Sequence, residues 1–145
     1  MNATTQLSLS QDAALVAALA GTAMPFSHSA ADQAERWLRV LRLHGKVGAA
    51  IQALGVSEAP LMTGSDPMPE DSGGPPLGDE VVERVVRRAG ELAIERRAPC
   101  VCTVDVLFAL FEIYGGLIDR ALYLRGSSRE ELIERLPRNQ VEAGC

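Results

Sequence analysis

The sequence predicts an all-α fold made of two similar helical halves, and three observations carry that expectation. Apolar residues recur at i, i+3, i+4 and i+7 through most of the chain, the spacing of a single helical face. Aromatic residues make up 4% of the 145 residues against 47% hydrophobic overall, so aliphatic side chains and alanine must fill the core, as closely packed helices allow. The apolar pattern also runs through the chain twice, in the same order. A chain of this length fits one domain or two small halves sharing a core.

Taken in order, the first helix is expected in LSLSQDAALVAALA, capped by Ser8 or Ser10, with Asp12 in its first turn and an end near Gly21. After a proline-containing turn, Ser29 and Asp32 stand three apart as a capping box. Ala34, Trp37, Leu38 and Leu41 then form one apolar face. Past Gly45, Val47, Ala50, Ile51 and Leu54 repeat that spacing, and Gly55 supplies a left-handed stop. A longer helix spans about Asp79 to Arg97, with Val81, Val82, Val85, Val86, Ala89, Leu92 and Ala93 along one side and Pro99 ending it. Thr103 is placed as the cap of the next helix, which turns Val106, Leu107, Leu110 and Phe111 inward until Gly115 and Gly116. A short helix carries Leu117, Ile118, Ala121 and Leu122. After Gly126, Ser128 and Glu131 form another capping box, followed by Leu132, Ile133 and Leu136 up to Pro137.

Residues 57–78 read SEAPLMTGSDPMPEDSGGPPLG, with five of the eight prolines, four acidic residues, no basic residue and no aromatic. Such a stretch buries too little to offset its ordering entropy and is expected to be a flexible acidic linker. It separates a first repeat at about 8–56 from a second at about 79–136, with a tail at 137–145. Leu38 and Leu41 match Leu107 and Leu110 at an offset of 69, whereas Gly45, Val47, Ala50, Ile51 and Gly55 match Gly116, Ile118, Ala121, Leu122 and Gly126 at an offset of 71. A two-residue indel in the intervening turn accounts for the change.

Fourteen basic against nineteen acidic residues give a net charge of −5, which argues against nucleic acid as a partner because phosphate binding needs a concentrated positive field. The longest apolar run, Ala13 to Ala20, is about half of the roughly 18 residues a membrane helix requires. The first dozen residues hold no Lys or Arg and include Asp12, unlike a secretory signal, so a cytoplasmic protein is expected. Three cysteines, Cys100, Cys102 and Cys145, form an odd set that makes a disulfide framework improbable. With only His28 and His44 to join them, no metal site and no cofactor are expected.

The doubled pattern resembles the Clp N-terminal domain, the substrate- and adaptor-binding module at the front of Clp-type AAA+ unfoldases such as ClpA, ClpB and ClpC. In the second repeat, TVDVLFAL is similar to that family's T-E-H-L-L-L-A-L, and GLIDRALYLRGSSREEL to its helix, glycine and acidic follow-on. In the first, LSQDA, AERWLRVL and GKVGAAIQALGV resemble the opening, the central helix and the third helix. The resemblance implies recognition of peptides or modified side chains near the start of each central helix, at Glu35 in one copy and at Thr103 and Asp105 in the other. In ClpC-like members paired glutamates there take part in binding phosphoarginine. Here only Glu35 carries over, since Val104 and Asp105 follow Thr103, and any recognition is therefore expected to be asymmetric.

No catalytic constellation accompanies this pattern. Lys46 in HGKVGAA lacks the first glycine, the Ser or Thr and the preceding strand of a phosphate loop, and neither histidine is spaced to serve a cysteine as base. Trp37 is read as core. Arg36, Arg39 and Arg42 recur every three residues on the opposite, polar face of its helix, where they would be solvated or would meet an acidic or carboxylate partner. The function expected is a non-enzymatic module binding a Clp ATPase, an adaptor or a substrate. The tail RNQVEAGC shows no start of an ATPase domain, as expected of a free-standing adaptor or decoy. The alternative is a small regulatory or ligand-sensing protein that uses the same fold without a protease partner.

Overall fold

The computed structural model describes residues 7–54 and 78–136. The expected linker, apart from Gly78, the stop at Gly55 and the tail after 136 lie outside the described residues. Within them the chain forms seven α-helices: α1 (Gln11–Ala23), α2 (Ala30–Leu41), α3 (Gly45–Ala53), α4 (Gly78–Glu95), α5 (Thr103–Tyr114), α6 (Gly116–Leu124) and α7 (Arg129–Arg135). A single 3-10 turn, Met24–Phe26, follows α1. The described residues form no strand, and their one β-bridge pairs Leu9 with Val101. No helix among them is long and apolar enough to cross a membrane.

Local chemistry sets most of the boundaries. Ser10 caps α1, its hydroxyl accepting from the Ala13 N–H at 3.0 Å. Ser29 caps α2 through the Asp32 N–H, while the Asp32 carboxylate accepts from the His28 N–H at 2.9 Å, one residue before the position a capping box uses. Two helices end in paired six-to-one and five-to-two hydrogen bonds that satisfy their last carbonyls. At α6 these run from Ser127 to Leu122 and from Gly126 to Tyr123, with Gly126 at φ 85°. At α4 they run from Ala98 to Ala93 and from Arg97 to Ile94, and the left-handed residue is Arg97 at φ 59°. The helix thus ends on this turn and not on Pro99.

A left-handed arginine is strained by about 1–2 kcal/mol, a strain glycine lacks. Glycine gives back about 0.5–1 kcal/mol through its freer unfolded chain. Arg97→Gly is therefore expected to stabilise the protein by about 0.5–1 kcal/mol, seen as a rise of a few degrees in melting temperature. A fall would mean that the exposed Arg97 side chain holds more than its turn.

The halves share a helix order. The second helix has 12 residues and the third 9 in each: α2 and α3 in the first, α5 and α6 in the second. They pack crosswise, α2 on α6 and α3 on α5, while α4 lies along α5 and α7 against α3. One apolar cluster results, drawing Val16, Trp37, Leu41 and Ile51 from the first half and Val85, Leu107, Leu110, Ile118, Leu122 and Leu132 from the second. At its centre is α5, which is buried on nearly every side and accordingly apolar nearly all round.

Aligned by their caps, the helices correct the expected register. Ser29 stands opposite Cys102 and Asp32 opposite Asp105, an offset of 73 and not 69, so Leu38 matches Phe111 and Leu41 matches Tyr114. The offset returns to 71 at Gly45 and Gly116 because three residues join α2 to α3 and Gly115 alone joins α5 to α6. The second copy's turn is thus two residues shorter, the reverse of what offsets of 69 and then 71 imply. A slip of four residues preserves the i, i+4 pattern, which is why spacing alone allowed it.

Candidate functional site

The residues expected to meet a partner divide between a buried helix start and an arginine-bearing face. Thr103 is not the cap of α5. Cys102 is, and Thr103, one position inside the helix, is fully buried, its Oγ1 accepting from the Val47 N–H of α3 at 3.4 Å. Asp105, at the third helical position, is 1% exposed. Its carboxylate accepts from the Cys102 N–H at 2.9 Å and forms two charge-assisted bonds to Arg96, at 2.7 Å from Nε and 2.8 Å from Nη2. Those bonds, helped by the Cys102 side chain, hold the Arg96 guanidinium above its ordinary basicity. Thr103 and Asp105 therefore knit the fold together and present no accessible surface to a ligand.

Glu35 is drawn elsewhere. Its Oε1 lies 2.6 Å from Nη2 of Arg125, the residue that ends α6, and both side chains are largely covered, at 18% and 7% exposure. The pair fastens α2 to α6 across the two halves. Spacing could not have found Arg125, because the two partners are brought together only by the crosswise packing.

On the next positions of α2, Arg36 bonds Asp32 at 3.2 Å and reaches the Ala23 carbonyl at 3.4 Å, beside the 3-10 turn. Arg39 is half-buried, and its Nε has no hydrogen-bond partner among the described residues. Arg42, also half-buried, ends α2, and its carbonyl accepts from Gln52 Nε2 at 2.6 Å. All three are partly covered, not the solvated face the periodicity implied.

Next to Arg36 the turn exposes Phe26 at 71%, and the outer side of α1 exposes Leu15 and Leu19. The sequence carried a signal for this surface. The run LVAALA has no polar side, so burying Ala13, Val16 and Ala20 leaves leucines outside. The mixture of exposed phenylalanine, leucine and arginine is of the kind enriched at protein interfaces.

Behind this face a polar chain links the halves. Trp37 Nε1 donates to Tyr114 Oη at 3.2 Å, and the Tyr114 hydroxyl donates to Gln33 Oε1 at 2.7 Å, all three residues being buried. Trp37 is thus core, as expected. Burial pushes the Tyr114 phenol up to about 12 from its ordinary 10.0. Since the folded value lies above the unfolded one, this contribution is complete below pH 10 and is lost as pH rises towards 12. A decline on the order of 2 kcal/mol across that range is expected in urea titrations. Tyr114→Phe should remove this decline while costing about 1–3 kcal/mol at neutral pH, by removing the buried hydroxyl that accepts from the Trp37 N–H and donates to Gln33 Oε1.

Among the described residues no three His, Cys, Asp or Glu side chains come together as metal ligands. Cys100 is disulfide-bonded and Cys102 keeps a buried thiol. Comparison of the chain with family models, with curated proteins and with solved structures returned no match.

Proposed function

We propose that this chain is a non-enzymatic protein-binding module that recognises substrates, adaptors or degradation signals for a Clp-type AAA+ unfoldase or protease, as an adaptor or decoy where it acts apart from that machine. What supports the reading is the crosswise packing of two halves with the same helix order, together with the resemblance of each half's sequence pattern to a Clp repeat. The partner-facing surface in this reading is the arginine side of α2 with the adjoining turn: Arg36, Arg39 and Arg42 for a carboxylate-bearing peptide, and Phe26 for an apolar anchor. Glu35, held by Arg125, positions that face and does not seek a cation of its own.

The test is capture from the native lysate on immobilised protein, with bound proteins identified by mass spectrometry. Recovery of a Clp-type ATPase, its protease or one of its clients is expected. Phe26→Ser and Arg36→Glu, each checked for an unchanged melting temperature, should weaken that capture about tenfold, the effect of losing roughly 1.4 kcal/mol of contact. If the folded wild-type protein recovers no component of such a machine, the proposal fails and the regulatory or ligand-sensing reading takes its place. If capture occurs but neither variant weakens it, the function stands and the surface assignment falls.

A further inference from the structure

Among the described residues one buried side-chain nitrogen lacks a hydrogen-bond partner, Arg39 Nε on α2. The two halves, compared position by position, show why. α1 and α4 align at an offset of 69: Val16, Ala20 and Met24 are buried where Val85, Ala89 and Ala93 are, and Gly21 falls on Gly90. The offset of 73 that aligns α2 with α5 sets Arg39 on Glu112.

In the second half these positions close on one another through charge. Arg88 of α4 donates to Glu112 from Nε at 2.6 Å and from Nη2 at 3.2 Å, and its Nη1 lies 2.9 Å from Glu91 and 3.6 Å from Glu95. In the first half Leu19 stands for Arg88, Thr22 for Glu91 and Phe26 for Glu95. The charge at the place of Glu112 has changed sign, and the group that should answer it has become apolar. Both carboxylates of α2 are already engaged, Asp32 by Arg36 and Glu35 by Arg125. Asp12, the acidic residue of α1, stands about two turns before Leu19. A covered guanidinium N–H without an acceptor is costly, so this position favours a carboxylate brought from outside.

We propose that the α1–α2 face of the first half seats an acidic amphipathic helix of a partner protein. A carboxylate of that helix pairs with Arg39, and its apolar side chains cover Leu15, Leu19 and Phe26, which are 45%, 38% and 71% exposed. The inference rests on the reading of this chain as a protein-binding module and supplies the chemistry of its partner. Leu15 and Leu19, one turn apart, form a ridge of the kind that packs into the groove of a second helix. From Leu15 to Phe26 the stripe runs roughly 16 Å, the length of about three helical turns. Because Nε is covered in the free protein, pairing requires the Arg39 side chain to turn towards the incoming helix, and Nε has no hydrogen bond to lose in doing so.

The probe is a fluorescein-labelled, hydrocarbon-stapled helix of about 14 residues carrying one leucine stripe flanked by glutamates, with a glutamine and a lysine version beside it. Fluorescence anisotropy against the full chain should show the glutamate version binding about tenfold tighter than the glutamine version, and the lysine version weakest. Arg39→Gln should erase that preference. Leu19→Glu gives Arg39 the internal counter-ion that Arg88 gives Glu112, so it should raise the melting temperature by a few degrees and abolish binding. The rise should vanish in the Leu19→Glu, Arg39→Gln double variant. No binding of the glutamate version, equal affinities for all three versions, or a preference that survives Arg39→Gln would each overturn the proposal. An unchanged or lower melting temperature in Leu19→Glu would show that Arg39 does not face α1 and would overturn it as well. Capture from the lysate separates this inference from the function it rests on. Indifferent peptides alongside a recovered Clp-type component remove the helix alone, and a glutamate preference without such a component removes the Clp connection alone.

Discussion

Leu107→Ala is expected to destabilise the protein by about 2–5 kcal/mol, from lost transfer free energy and the cavity left behind. Leu107 is fully buried on α5, the helix that touches α1, α2, α3, α4 and α6, so no single neighbour can move in to fill the space. Small domains are held by about 5–15 kcal/mol in all, so the loss takes a third or more of the margin in a typical case. Urea titration gives the measurement. Leu107→Met, which conserves volume, should cost less than about 1.5 kcal/mol. Equal losses in both variants would show that the site resists any change of shape and that its cavity is not the cause.

Asp105→Asn should cost about 2–4 kcal/mol. The substitution leaves the volume almost unchanged but removes the charge that two Arg96 nitrogens and the Cys102 N–H converge on. Breaking a buried ion pair costs about 3–5 kcal/mol, and the estimate is reduced here because Arg96, at 30% exposure, can turn partly to water. Amide exchange should speed up first in the opening turn of α5, where the cap is lost. The same variant separates two roles for the carboxylate. A structural role predicts lost stability with partner capture unchanged at temperatures where the domain stays folded. A recognition role predicts the reverse.

Which features could be read from the sequence follows from how local their causes are. The capping serines Ser10, Ser29 and Ser128 announce their helices because a hydroxyl three residues from an N–H is a local event, and each caps as expected. Thr103 reads as the stronger cap because a thiol is a poor one in general, and Cys102 holds the place through the Asp105 carboxylate three residues on. Arg97 gives no warning of a left-handed turn, since an L-residue adopts one against its preference, and Pro99 is the stronger stop signal in the sequence. The Glu35–Arg125 pair and the Trp37–Tyr114–Gln33 chain join residues far apart in sequence, so helical periodicity carries no trace of them. The arginine face was visible as a pattern, whereas Phe26 beside it was not, because a lone aromatic in a proline turn has no period.

The crosswise packing of α2 on α6 and α3 on α5 makes the molecule, in effect, a heterodimer written on one chain. Cutting it anywhere in residues 55–77 should yield two fragments that each expose the face their counterpart covers, and neither should melt cooperatively alone. Mixed, they should reassemble, with a melting temperature that rises with concentration, as association requires. The intact chain escapes that dependence because the peptide connection fixes the effective concentration of one half at the other. Split reporters rely on the same property, so this domain could carry two fused halves of a signal that is restored only when α2 finds α6.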